Sequence, residues 1–172
     1  YTSRILTRLA RADLIAYARN TPVEVADPAE LFEAWQSMPT RTVESPWFVP
    51  MSDAEAVAHR LEDALEGQVG FTGTLAASLL TRHLEPERID VYVDGVSRAA
   101  DVATELGGER ATRGANLVFL VHRDPGILTI GTRTLRGLRT VSPTQIYRDA
   151  LQRGRGRERE AANQFRREIL KW

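Results

Sequence analysis

Residues 115–123 read Ala-Asn-Leu-Val-Phe-Leu-Val-His-Arg, the most hydrophobic run in the chain. A run this short, rich in β-branched and aromatic side chains and closed by Asp124-Pro125-Gly126, is a central strand rather than a helix. A second stretch, residues 88–95, alternates: Ile89, Val91 and Val93 fall on one face, Asp90, Tyr92 and Asp94 on the other. Helical patterns flank both. Residues 52–67 carry Ala54, Val57, Leu61 and Leu65 at spacings of three and four, with Ser52 as the expected cap, Glu55 completing a capping box and Gly67 as the stop. Residues 69–73 read as a short strand feeding an apolar helix over 74–84. Residues 97–108 read as a short helix ending in a glycine pair. Residues 127–142 read as further strand broken by Gly131 and Gly137, and Ser142-Pro143 opens another helix. The arginine-rich stretch 153–157 interrupts that helix, and a last one closes the chain. Helices alternating with a few strands predict a mixed α/β (α+β) fold over 46–172, a small mixed sheet with flanking helices.

The front of the chain has a different texture. Residues 3–13 have Ile5, Leu6 and Leu9 at helical spacing. Residues 14–18 and 22–26 read as two short strands around turn-prone Asn20. We read residues 1–26 as the C-terminal half of a winged helix-turn-helix, its recognition helix and wing, with Tyr1 not a natural start. Residues 27–45 then form an exit helix and linker. Asp27 caps the exit helix, Pro28 sits in its first turn, and Glu30 stands three residues past the cap. Residues 39–52 hold three prolines and read as a linker or extended arm that docks Trp47 and Phe48.

Composition narrows the chemistry. There are no cysteines, which excludes disulfides, thiolate catalysis and Cys-ligated zinc. No apolar run approaches the roughly 18 residues of a membrane span, and no signal segment opens the chain. Together these point to a soluble cytoplasmic protein. The formal net charge is zero but unevenly spread. Residues 1–25 carry four arginines against Asp13 and Glu24. Residues 26–66 carry nine acids against Arg41 and Arg60. Residues 142–172 carry eight basic groups against four acids. A polyanion would favour the two ends and avoid the acidic stretch.

Arg4, Arg8 and Arg11 fall on one stripe of the first helix, and Thr2, Ser3 and Thr7 lie in its first turns. A helix that enters a major groove needs small polar groups near its N-terminus and arginine for phosphates and guanine edges. Taken alone, the stripe is more simply a solvated arginine face, which is common on any surface helix. The hairpin that follows, with Arg19 at its tip, tips the reading towards DNA. Asp90 and Asp94 admit a metal-dependent phosphoryl-transfer site, but an edge strand with a solvated acidic face accounts for them more simply. His59, His83 and His122 have no metal-ligand spacing, and no cofactor or metal is expected. Arg110 and Arg113 stand in a glycine-rich loop without the lysine of a phosphate loop. They and Arg153, Arg155 and Arg157 are candidate anion or partner contacts. The last helix, with its interspersed glutamates and arginines, also suits simple docking.

Several stretches together resemble a known family. "SRILTRLARADLI" with "VEVADPAELFEAW" looks like the end of a winged helix-turn-helix and its exit helix. "GFTGTLAASLL", "RIDVYVDG" and "LRTVSPTQIYRDALQRGRGREREAANQFRREIL" are similar to the C-terminal domain of AbiEi-type antitoxins, most specifically over 141–162. That family belongs to type IV toxin–antitoxin and phage-defence systems. The resemblance implies a winged helix that binds inverted repeats in its own promoter, and a C-terminal domain that counteracts a nucleotidyltransferase-type toxin without a stable complex. It places Thr2, Ser3, Arg4, Thr7, Arg8 and Arg19 at the DNA. The expected function is therefore a non-enzymatic, DNA-binding, antitoxin-like transcriptional regulator. The alternatives are a nuclease or nucleotidyltransferase-like enzyme using Asp90 and Asp94, or a pure protein-interaction domain.

Overall fold

The computed structural model describes residues 2–18, 21–39, 42–81 and 86–154, with the single residues Arg159, Ala162, Asn163 and Arg166. The chain divides into two compact units, Tyr1–Thr40 and Arg41–Trp172.

In the first unit, helix α1 spans Thr2–Arg11. It ends in a Schellman turn. Asp13 takes a left-handed φ of 56°, its N–H donates to Ala10 O, and Leu14 N donates to Leu9 O. Asp tolerates that conformation better than most side chains, so the helix stops there without a glycine. Strands β1 (Ile15–Ala16) and β2 (Glu24–Val25) pair antiparallel, Ile15 opposite Val25. Helix α2 spans Pro28–Gln36. Asp27 Oδ1 accepts from Ala29 N at 2.8 Å and Glu30 N at 3.1 Å, and proline at the first turn forfeits no helix bond. Phe32 is buried, its ring 5.6 Å from that of Trp35.

The second unit holds a seven-stranded mixed sheet in the order β6-β3-β7-β5-β4-β9-β8. Its strands are β3 (Thr42–Phe48), β4 (Val69–Thr72), β5 (Ile89–Val93), β6 (Glu109–Arg110), β7 (Leu117–His122), β8 (Arg133–Leu135) and β9 (Leu138–Thr140). Its helices are α3 (Ala54–Ala64), α4 (Gly73–Thr81), α5 (Val96–Glu105) and α6 (Pro143–Arg153). The expected mixed α/β fold is what the chain adopts. β5 lies parallel to β7 and β4 parallel to β9, while the other neighbours run antiparallel. The apolar cluster joins Val57, Ala58 and Leu61 of α3 and Ala99, Val102 and Ala103 of α5 to Phe71, Ile89, Val91, Leu117 and Phe119 of the strands. Burial of that many large side chains is the main stabilising term of the unit. α4 sends Leu75 and Leu79 into the same cluster, whereas no α6 residue belongs to it.

Four local expectations change. The segment 39–52 is no free arm: β3 runs through it, paired with β7 from Thr42–His122 to Trp47–Leu117. Pro46 is tolerated because its carbonyl faces β6, accepting from Ala111 N, so its missing N–H costs β3 no bond to β7. β5 is not an edge strand. It lies between β7 and β4 and all five of its residues are buried. The cap of α3 is Asp53 rather than Ser52, its Oδ1 accepting from Glu55 N at 2.8 Å and Ala56 N at 3.3 Å. The long strand expected over 127–142 is a 3-10 turn, Pro125–Leu128, followed by the β8–β9 hairpin. Arg136 and Gly137 both take positive φ, 49° and 82°, as a tight hairpin turn requires.

Candidate DNA-facing helix and a buried polar seam

α1 presents Arg4, Arg8 and Arg11 to solvent along one face, at spacings of four and three. The helix has no acid in its first turn, and the three guanidinium groups have no ion-pair or hydrogen-bond partner among the described residues. Thr2 and Ser3 lie in the first turn, and Thr7 is exposed. The opposite face is apolar but incompletely covered. Leu6 and Leu9 are half-buried and Ile5 is 44% exposed. Beside α1, the hairpin loop is drawn together by Thr21. Its hydroxyl accepts from Ala18 N at 3.2 Å and donates to Ala18 O at 2.9 Å. Arg19, the expected tip, lies outside the described residues. An uncommitted cationic face of this kind is what phosphate contacts require.

The second unit contains a site the sequence reading missed. Gln145, Asp149 and Arg153 recur every four residues on α6 and face the sheet. Asp149 is 1% exposed. Thr72 Oγ1 donates to its Oδ2 at 2.6 Å, and Gln145 Nε2 and Tyr92 OH donate to its Oδ1 at 2.8 and 3.3 Å. Burial pushes the Asp149 carboxyl up to about 6, against the pull of the Thr72 and Gln145 hydrogen bonds and the Arg153 charge. Burial and the adjacent Asp149 charge likewise push the Tyr92 hydroxyl far up, so it stays a neutral donor. Neighbouring Asp90, 4% exposed, is differently served. Its Oδ1 accepts from Arg88 Nη2 at 2.7 Å, Arg88 Nε at 3.1 Å and Arg153 Nη2 at 3.2 Å. Arg153 gives its other terminal nitrogen to Glu44 of β3. Gly73, at the start of α4 with φ +61°, makes room: a Cβ there would stand 2.9 Å from Asp90 Oδ2. A void of about 10 Å³ remains between Asp90, Asp149 and Arg153, no larger than one water.

This geometry corrects the two-carboxylate reading. Asp90 is a buried anion taken up by two guanidinium groups, while Asp94 is exposed beyond the end of β5. The pair does not converge on a shared site. Among the described residues no group of three or more His, Asp or Glu side chains is placed to hold a metal. The arm reading changes too. Trp47 is buried in the apolar cluster and its Nε1 donates to Ser45 Oγ at 3.0 Å.

Of the remaining arginines, Arg153 is an internal clamp between α6, β3 and β5. The guanidinium carbon of Arg110 lies 5.2 Å from the centre of the Trp47 ring, a cation–π stack at the sheet edge. Arg113 is exposed in the loop after β6. Arg155 and Arg157 lie outside the described residues, as does most of the expected last helix. No helix among the described residues is long and apolar enough to cross a membrane. The seam left one sign in the sequence. Asp90 and Tyr92 share a strand face, and the polar residues Gln145, Asp149 and Arg153 at i, i+4 and i+8 of the helix that Ser142-Pro143 opens can meet them.

Residues 24–171 match the family model described as "Transcriptional regulator, AbiEi antitoxin, Type IV TA system". The match begins at β2 and runs through the whole described sheet, and α1 precedes it. No curated protein and no solved structure matches the chain.

Proposed function

Since the chain belongs to the AbiEi antitoxin family, the transcriptional regulators of type IV toxin–antitoxin systems, we propose that it binds operator DNA in its own promoter through α1 and the β1–β2 hairpin. In this reading α1 is the groove-reading helix of a winged helix. Thr2, Ser3, Arg4, Thr7, Arg8, Arg11 and Arg19 are the residues assigned to the DNA. The unit Arg41–Trp172 counteracts a nucleotidyltransferase-type toxin, and the protein works in the cytoplasm as a regulator rather than an enzyme. One observation carries the DNA assignment: an exposed arginine stripe, without a partner among the described residues, on a helix that leads directly into an antiparallel hairpin. The helix–hairpin order supplies shape and the stripe supplies charge.

The test is an electrophoretic shift of the chain on DNA from upstream of its own gene, against a scrambled duplex of equal length. Arg4→Ala and Arg8→Ala should each weaken the specific shift severalfold while leaving the circular dichroism spectrum intact. Unchanged binding in both variants would remove α1 from the interface. For the second unit, co-expression with the neighbouring toxin gene should restore growth, and should still do so when Arg4 and Arg8 are both changed.

A further inference from the structure

α6 is distinguished from the other helices of the second unit by the buried polar groups it brings to the sheet. One side of the sheet carries the apolar cluster built with α3 and α5. α6 sits outside that cluster; it buries Ile146, Tyr147 and Ala150, and it also meets β3, β4 and β5 through a seam of hydrogen bonds and ion pairs. Within the seam the two buried carboxylates are treated unequally. Asp90 holds both cationic partners, Arg88 and Arg153, while Asp149 is held by three neutral donors. Among the described groups, the charges that face it are few. From α6 these are Arg148 and Arg153, the latter committed to Asp90 and Glu44. β5 brings Asp90 and the neutral Tyr92, whose ring meets the His122 ring of β7 edge-on; Arg88, just before β5, lines the same void, and β3 brings Glu44 through Arg153. β4 offers only the Thr72 hydroxyl, and α4 only Gly73 and Thr74 at the void.

We propose that Asp149 makes the seating of α6 proton-sensitive: the helix is held more tightly when this carboxyl is protonated and opens more readily when it is charged, independently of the apolar side of the sheet. A charged carboxylate at this depth has lost its water and, among the described residues, has no cation bonded to it, whereas the neutral acid still accepts and can itself donate. When α6 lifts away, Asp149 returns to solvent and to an ordinary carboxyl affinity, so opening is coupled to proton release. The inference stands apart from the DNA reading, because it concerns only the second unit.

The test is amide hydrogen exchange of the full chain at pH 5 and pH 7.5, each corrected for the intrinsic rate. With a native value near 6, the opening constant of residues 143–153 should be about tenfold smaller at pH 5 than at pH 7.5. β5 and β7 should show no such change. Asp149→Asn should remove the pH dependence from α6 and hold it at the tighter level. Thr72→Val, which deletes a hydrogen bond that favours the charged form, should move the transition to higher pH and serves if the Asn variant fails to fold. Equal protection of α6 at both pH values would overturn the proposal. So would an equal change in α6 and the central strands, or a transition that Thr72→Val leaves in place.

Discussion

Thr72 Oγ1 lies 2.6 Å from Asp149 Oδ2, joining the end of β4 to the middle of α6 across 77 positions of sequence. Both residues are almost wholly buried, so neither has water as a substitute partner. The bond is charge-assisted whenever Asp149 is ionised. Thr72→Val keeps the shape and removes the donor. It should cost about 1–3 kcal/mol at neutral pH, read as a lower midpoint in urea denaturation with an unchanged slope. A smaller loss at pH 4.5 than at pH 7.5 is expected, since the neutral acid has less need of the donor.

The pH dependence of stability should run opposite to that of an ordinary paired aspartate. The folded value of Asp149, about 6, stands above its unfolded value of 3.8. Folding therefore binds a proton between those limits. The charged carboxylate weighs against the fold above pH 6, and that cost is relieved as pH falls towards 4. Measured against Asp149→Asn, the native protein should gain about 2 kcal/mol between pH 7 and pH 4. A difference that stays flat over that window would place the Asp149 value outside it.

Gly73 is required twice over. Its φ of +61° disfavours any side chain, and a Cβ there would press to 2.9 Å on Asp90 Oδ2. Gly73→Ala should therefore destabilise the unit by about 1–3 kcal/mol. Gly95, with open space around its Cβ position, is the control: Gly95→Ala should change the thermal midpoint by no more than a degree or two.

How far these features could be read in the sequence differs by element. Leu117–His122 and Ile89–Val93 were plain from runs and alternation, because burial on both faces leaves only apolar or internally paired residues. α2 was plain from Asp27 and Pro28, a purely local signal. β3 was hidden by Pro46 within it and by Pro39 and Pro50 on either side. The rule that proline breaks a strand fails at Pro46, where the outward-facing position leaves no bond to β7 for it to break, a fact of register that one strand cannot report. Asp90 was misread for a related reason. An Asp alternating with apolar residues signals a solvated face unless the cations that neutralise it are known, and one of them, Arg153, stands 63 positions away. The seam on α6 was invisible for the same cause: Gln145, Asp149 and Arg153 show helical spacing, but nothing local says that their partners are buried. The arginine stripe on α1 was readable because exposure needs no partner.

The most direct test of the central claim, that α1 is the DNA-facing element, is the salt dependence of operator binding. Affinity should be measured from 50 to 300 mM salt for the native chain, Arg8→Ala and Arg113→Ala. Each phosphate contact adds roughly 0.9 to the slope of log K against log salt. The account predicts that Arg8→Ala lowers both affinity and slope, by about one contact in slope, while Arg113→Ala changes neither. A slope unchanged in Arg8→Ala, or reduced only in Arg113→Ala, would contradict it.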